Sequence, residues 1–131
     1  MNIKTKGQSI MEYTAMSASA ISKHKVTEKW GSLAWLAGRQ IGNARDLTLG
    51  HVIIKPGASN PSHCHPNCEE VLYLMSGRLE HSVGEERIAA SAGDVFTVGP
   101  GIYHHATNTG SEDAHMIVAY SDGNREMQLE A

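Results

Sequence analysis

The sequence predicts an all-β sandwich or barrel. From Trp30 onward the chain breaks into short apolar or alternating runs, and each run stops at a cluster of Gly, Pro, Asn or Ser. Many short strands at this turn spacing point to stacked or closed antiparallel sheets and away from βαβ units. With 131 residues, the chain has room for one domain around a single core.

The first 30 residues carry the weakest pattern. Ile10, Tyr13, Met16 or Ser17, Ala20 and Ile21 recur at a loosely helical spacing with little capping support. A short helix or ordered arm is expected over 1–30, its first few residues disordered, ahead of one barrel domain over 31–131. The strands of that domain read as Leu33 to Ala37 (stopped near Gly38), Leu47 to Lys55 (stopped at Pro56-Gly57) and Glu70 to Met75 (stopped at Ser76-Gly77). Arg78 to Val83 and Glu86 to Ala89 form a hairpin about Gly84-Glu85. Asp94 to Val98, His104 to Thr107 and His115 to Tyr120 complete the series, and the polar residues from Asn124 read as a tail or last turn.

Charge and composition exclude several function classes. The net charge is −3 with histidines neutral, and no run of Lys and Arg interleaves with aromatic residues. Nucleic acid is therefore not expected as a partner. No apolar stretch reaches the length of a bilayer span. Lys4 and Lys6 precede an Ala18-Ser19-Ala20 that resembles a signal cleavage site, but Gly7, Gln8, Ser9, Glu12 and Thr14 make the intervening segment too polar for a signal core. A cytoplasmic protein is expected, with Cys64 and Cys68 as free thiols.

Glu70 to Met75 is apolar on both faces: Leu72 and Leu74 accompany Glu70 on one, and Val71, Tyr73 and Met75 form the other. A strand of this kind is normally covered on both sides. One cover is the core, the other is the N-terminal arm or a second subunit, and a homodimer using this outer face is expected.

The stretch with the most chemistry is His63-Cys64-His65-Pro66-Asn67-Cys68-Glu69-Glu70. In an extended strand His63 and His65 share a face and Cys64 points the opposite way. Two imidazoles converging with a carboxylate make most of a metal shell, and Tyr103-His104-His105 can supply a further imidazole.

These residues carry a family resemblance. Gly57, His63, His65, Glu70 and Gly77 fall at the spacing of the first motif of the cupin superfamily, and Gly93, Gly101, His104 and Asn108 at that of the second. The departure is Gly99, where the family usually has Pro; Pro100 is displaced by one. The chain resembles the small single-domain cupins over roughly residues 46–120, with two motifs in the correct order. The resemblance implies a double-stranded β-helix, a jelly-roll barrel, with His63, His65, Glu70 and His104 as metal ligands. Of the two glutamates only Glu70 sets Gly77 at the motif interval, and strand alternation sends Glu69 and His105 outward. Three imidazoles and one carboxylate suit a single divalent transition metal among Fe, Mn, Ni, Co, Cu and Zn, and in an octahedral sphere two positions stay open.

Other residues receive plainer readings. A zinc site built on Cys64 and Cys68 lacks a second close pair at finger spacing. His51, His81 and His115 lie in strands where any one could line the barrel as an acid or base, but none is singled out. Tyr73, Tyr103, Trp35 and the methionines read as core or interface, and Asn108 and Asp94 as turn residues. The expected function is that of a metal-dependent enzyme acting on a small oxygenated molecule, by dioxygenase or isomerase/decarboxylase-type chemistry, with no general base identifiable. The alternative is a cupin that binds a sugar or other small molecule without turning it over.

Overall fold

A computed structural model describes residues 4, 5 and 13–131. Strands β1 (Lys4–Thr5) and β2 (Thr14–Ala15) pair as a separate two-stranded ribbon. One helical turn, α1 (Ala18–Ile21), begins where the Ser17 hydroxyl accepts the Ala20 N–H at 3.2 Å, and a 3₁₀ turn over Ser22–His24 continues it. The helix expected in the arm is thus confined to the one stretch with a capping side chain. Ile10 of that pattern lies outside the described residues.

The remaining strands are β3 (Lys25–Thr27), β4 (Gly31–Ala37), β5 (Thr48–Ile54), β6 (His63–Cys64), β7 (Glu70–Ser76) and β8 (Arg78–Val83). They are followed by β9 (Glu86–Ser91), β10 (Val95–Val98), β11 (His104–Asn108), β12 (Ala114–Tyr120) and β13 (Gln128–Leu129). A six-stranded sheet runs β10-β7-β12-β5-β4-β3 and a five-stranded sheet β13-β6-β11-β8-β9, with antiparallel neighbours throughout. From β5 onward the chain passes between the sheets at nearly every connection, which is the course of a double-stranded β-helix. The jelly-roll barrel expected from the motifs is the observed fold.

Alternation decides what lies between the sheets. In β7, Glu70, Leu72 and Leu74 are buried while Val71, Tyr73 and Met75 are exposed. Val52, Ile54, Met116, Val118 and Tyr120 join them from β5 and β12, and Leu79, Ala90 and Ala106 face them from the other sheet. Gly77 makes the tight β7–β8 connection: its φ is +94°, and a Cβ there would lie 2.8 Å from the Ala114 Cα. A motif position that admits only glycine thus has a local steric cause.

Three expectations are revised. The residues after Asn124 are not a free tail, because β13 pairs with β6 and the Glu130 N–H donates to the Ser62 carbonyl at 3.1 Å. Two exposed residues offer no alternation from which to read a strand. Residues 25–27, in the stretch read as an arm, likewise form the edge of the six-stranded sheet through β3. Asn108 is more than a turn residue. It is 1% exposed, its amide donates to the Ile54 and Glu112 carbonyls at 2.8 and 2.7 Å, and its Oδ1 accepts the Gly110 N–H at 2.8 Å. Asp94 keeps the turn role, accepting the Ser91 N–H at 2.8 Å.

The Asn108 clamp ties β5 to the β11–β12 turn, and without it three backbone groups lose their partner. Asn108→Ala is expected to destabilise the fold by roughly 2–4 kcal/mol, measured by urea unfolding.

Candidate metal centre

His63, His65, Glu70 and His104 meet between the two sheets. His63 lies in β6 directly opposite His104 in β11, so the two motifs are cross-strand neighbours with ring centroids 4.4 Å apart. His65 follows β6 as the chain turns toward β7, its ring 4.9 Å from His63 and 5.3 Å from His104. Glu70 opens β7 and reaches in from the other sheet. Each residue offers a donor atom, and the four donors lie within 4.8 Å of one another. The second motif is tied to the first through the Gly101 N–H, which donates to the His65 carbonyl at 3.0 Å. Gly99 in place of the usual Pro leaves that link intact.

Each imidazole is oriented by its far nitrogen. Nδ1 of His63 bonds the Pro61 carbonyl at 2.7 Å, Nδ1 of His104 the Ile102 carbonyl at 2.8 Å, and Nδ1 of His65 the Glu126 carbonyl at 2.9 Å. A carbonyl only accepts, so every Nδ1 carries a proton and every Nε2 is turned inward, where it presents a lone pair to a metal once any proton it shares with Glu70 is released. Nε2 of His65 and of His104 both stand 3.2 Å from Glu70 Oε1. Nε2 of His65 is buried and lacks hydrogen-bond geometry to any partner. Three inward Nε2 atoms and a carboxylate facing one another, each imidazole held by a backbone carbonyl behind it, is the donor set and outer support of a transition-metal site.

A family model described as "Cupin domain" matches residues 50–120, which is more than half of the chain. The chain belongs to the cupin family. It is 28% identical over 90 residues to oxalate oxidase 1 of Hordeum vulgare, covering 63% of this chain and 45% of that protein. It is 31% identical over 114 residues to nectarin-1 of Nicotiana langsdorffii x Nicotiana sanderae, covering 80% of this chain and 50% of that one. The cupin chain thus spans half or less of the length of these curated relatives. Among solved structures, an oxalate decarboxylase mutant from Bacillus subtilis superposes with a TM-score of 0.76 at 21% identity, over 84% of this chain and 31% of that one. An oxalate oxidase superposes with a TM-score of 0.70 at 23% identity, over 79% of this chain and 56% of that one. At these identities the structural likeness establishes the fold.

The chamber of this cupin is small, about 30 Å³, and Val52, Leu72, Met116 and Val118 are among its walls. Such walls shape its electrostatics. Burial pushes the His63 imidazole down to about 4, so it is a neutral donor at physiological pH. Burial alone would raise the Glu70 carboxyl, but the contacts from His104 and His65 outweigh it and hold the group well below the usual carboxylate range. His104 responds in the opposite sense: burial lowers its pKa, and the hydrogen bond and charge of Glu70 more than reverse this.

Of the three strand histidines left open by sequence, one faces the chamber. His81 in β8 is 1% exposed, its ring 4.6 Å from Phe96 and 6.0 Å from His104, and its Nδ1 has no hydrogen-bond partner. The alternation Leu79, His81 in β8 is the signal that would have selected it. His51 and His115 instead bond each other at 3.0 Å on the outer side of the six-stranded sheet. Glu69 is exposed and His105 half-buried, outside the donor set. Cys64 and Cys68 are buried free thiols, and burial pushes Cys68 up, away from reactivity. Sequence reasoning missed Tyr120, whose ring packs 4.8 Å from His65, and Arg125, whose guanidinium lies 4.6 Å over the Trp35 ring and 5.0 Å over Tyr120. It also missed the Glu126 carbonyl behind His65, since no side chain advertises a backbone acceptor.

His81 and His63 share a depressed pKa of about 4, caused chiefly by burial. An unfolded histidine titrates near ~6.5, so the unfolded chain binds more protons between those values. The stability these neutral rings contribute is complete above ~6.5 and is lost as pH falls toward 4. In metal-free protein, His81→Leu is expected to flatten the loss of unfolding free energy between pH 7 and 5 by about 1–2 kcal/mol. Urea titrations at the two pH values measure it; an unchanged slope would place the His81 titration elsewhere.

Proposed function

We propose that this cupin is a metal-dependent enzyme acting on a small oxygenated molecule, with His63, His65, Glu70 and His104 holding one divalent transition metal. The supporting observation is the set of three carbonyl-anchored Nδ1–H groups, which turn three Nε2 atoms inward with Glu70 so that the four donors lie within 4.8 Å of one another. No Lys or Arg stands among the four donors, and a divalent ion that displaces the proton shared by His104 and Glu70 would balance the set. The metal would supply Lewis-acid or one-electron chemistry at two open coordination positions.

The chain's own residues define the rest. His63, His65, Glu70 and His104 would hold the ion beside a chamber that His81, Val52, Met116 and Val118 also line. Apolar walls exclude bulk water, and His81, neutral and with an unpartnered Nδ1, can take or give a proton there. Relatives named as an oxalate oxidase and an oxalate decarboxylase support oxidation or decarboxylation of a small acid ahead of isomerisation. One structure of the Bacillus subtilis decarboxylase is described by its Mn(II) centres, which favours manganese as the first metal to test.

The reading extends to assembly and compartment. Val71, Tyr73 and Met75 of β7 and Val95 of the adjacent β10 are 40, 44, 39 and 56% exposed, a contiguous apolar strip on the outer sheet face that a second copy of the chain would cover. Two buried free thiols accord with a reducing cytoplasm. No helix among the described residues is long and apolar enough to cross a membrane.

Elemental analysis of the purified protein is expected to find one divalent metal per chain, reduced at least tenfold by either His63→Ala or His104→Ala. Full retention in both variants would overturn the site. Turnover of small hydroxy and keto acids by the loaded protein supports the enzyme; binding without turnover supports the non-catalytic alternative. Tyr73→Glu is expected to convert a sedimenting dimer to monomer with metal content kept, and a wild-type monomer would remove the dimer from the reading.

A further inference from the structure

Beside the metal chamber lies a second, larger cavity that the four donors do not explain. This vestibule has a volume of about 320 Å³ and shares Val52, Asn60, His63 and Tyr120 with the chamber. Its outer walls come from the two ends of the barrel: Val26, Trp30 and Leu33 on one side, Met127 and Leu129 on the other. Val26, Met127 and Leu129 are 45, 50 and 57% exposed. Three large apolar side chains therefore sit in water beside a metal chamber, where polar residues would cost nothing to the fold.

One cationic side chain stands in this largely apolar setting. Arg125 lines the vestibule, stacked on the Trp35 and Tyr120 rings, and its Nε is buried without a hydrogen-bond partner. Among the described residues no carboxylate comes within ion-pair distance of it. A guanidinium seated over two aromatic rings, bonded to the Tyr120 hydroxyl and without a carboxylate partner, keeps its charge and its remaining N–H donors for a ligand carboxylate. Glu28 on the same wall adds a negative charge, which favours a singly charged ligand over a dianion.

Size separates the two compartments by role. About 30 Å³ in the chamber accommodates little more than a water-sized group, whereas about 320 Å³ is at the lower end of small-molecule sites. The body of any substrate has to lie in the vestibule. We infer that the substrate is a monocarboxylic acid with an apolar body, its carboxylate on Arg125 and its aryl or branched alkyl portion against Trp30, Leu33, Met127 and Leu129. The inference rests on the metal-dependent reading and assigns its substrate class. A compact dianion such as oxalate has no apolar part to fill this space.

The test is calorimetric titration of the metal-loaded protein with phenylacetate, phenylacetamide, acetate and oxalate, with metal content measured on each sample. Phenylacetate is expected to bind at least tenfold more tightly than its neutral amide and than either small acid. Arg125→Gln should abolish the preference for acid over amide with metal content kept, and Arg125→Lys should restore part of it. Leu129→Gln, at an exposed position and without added charge, should weaken phenylacetate severalfold and leave acetate unchanged. Equal affinity for acid and amide, tighter binding of oxalate or acetate, or an unaltered preference in Arg125→Gln would each overturn the inference. Loss of metal from the wild-type protein would instead overturn the metal reading, so the two failures are distinguishable.

Discussion

Three hydrogen bonds from imidazole Nδ1 to backbone carbonyls decide what this molecule can do. A neutral imidazole has one donor and one acceptor, and committing the donor to a carbonyl leaves the acceptor no choice of direction. Pro61, Ile102 and Glu126 supply those carbonyls, and Nε2 of each ring turns inward as a result. The barrel serves this arrangement. Cross-strand pairing of β6 with β11 sets His63 beside His104, the turn after β6 delivers His65, and β7 brings Glu70 across from the opposite sheet. A buried cluster of this kind is costly unless a cation or proton completes it.

Much of this was readable in the sequence, for reasons that differ by residue. Period-2 alternation in Glu70 to Met75 placed Glu70 inward and Val71, Tyr73 and Met75 outward, as observed. Turn residues with positive φ, such as Gly77 and Gly101, bounded the strands and held the motif register. What escaped was whatever lacks a periodic or chemical label. β3 and β13 are three and two residues long, too short to alternate. His65 sits beyond the end of β6, so strand alternation was an incomplete reason for the correct expectation that it joins His63. Asn108 looked like a turn former because Asn favours turns, while its burial depends on Ile54 and Glu112 reaching it from elsewhere in the fold.

The donor cluster and the vestibule are built from different parts of the chain. The donors come from the central strands, between residues 63 and 104, and share a chamber walled by the common core. The vestibule is walled by β3, β4 and the segment after β12, where Arg125, Met127 and Leu129 lie. Residues at such peripheral positions tolerate exchange at little cost to the core. One barrel can therefore retain its metal shell while the groups meeting the substrate vary.

The three anchors also differ in range along the chain. His63 and His104 each bond a carbonyl two residues earlier, whereas His65 bonds one 61 residues later. The first two rings can acquire their orientation within a single local turn, at small loop-closure entropy. The third acquires it only when nearly half the polypeptide has been wound and its end brought back alongside β6. A full set of donors is thus a property of the finished topology, and an ion that requires all four would meet them only in a chain that has completed its last strand.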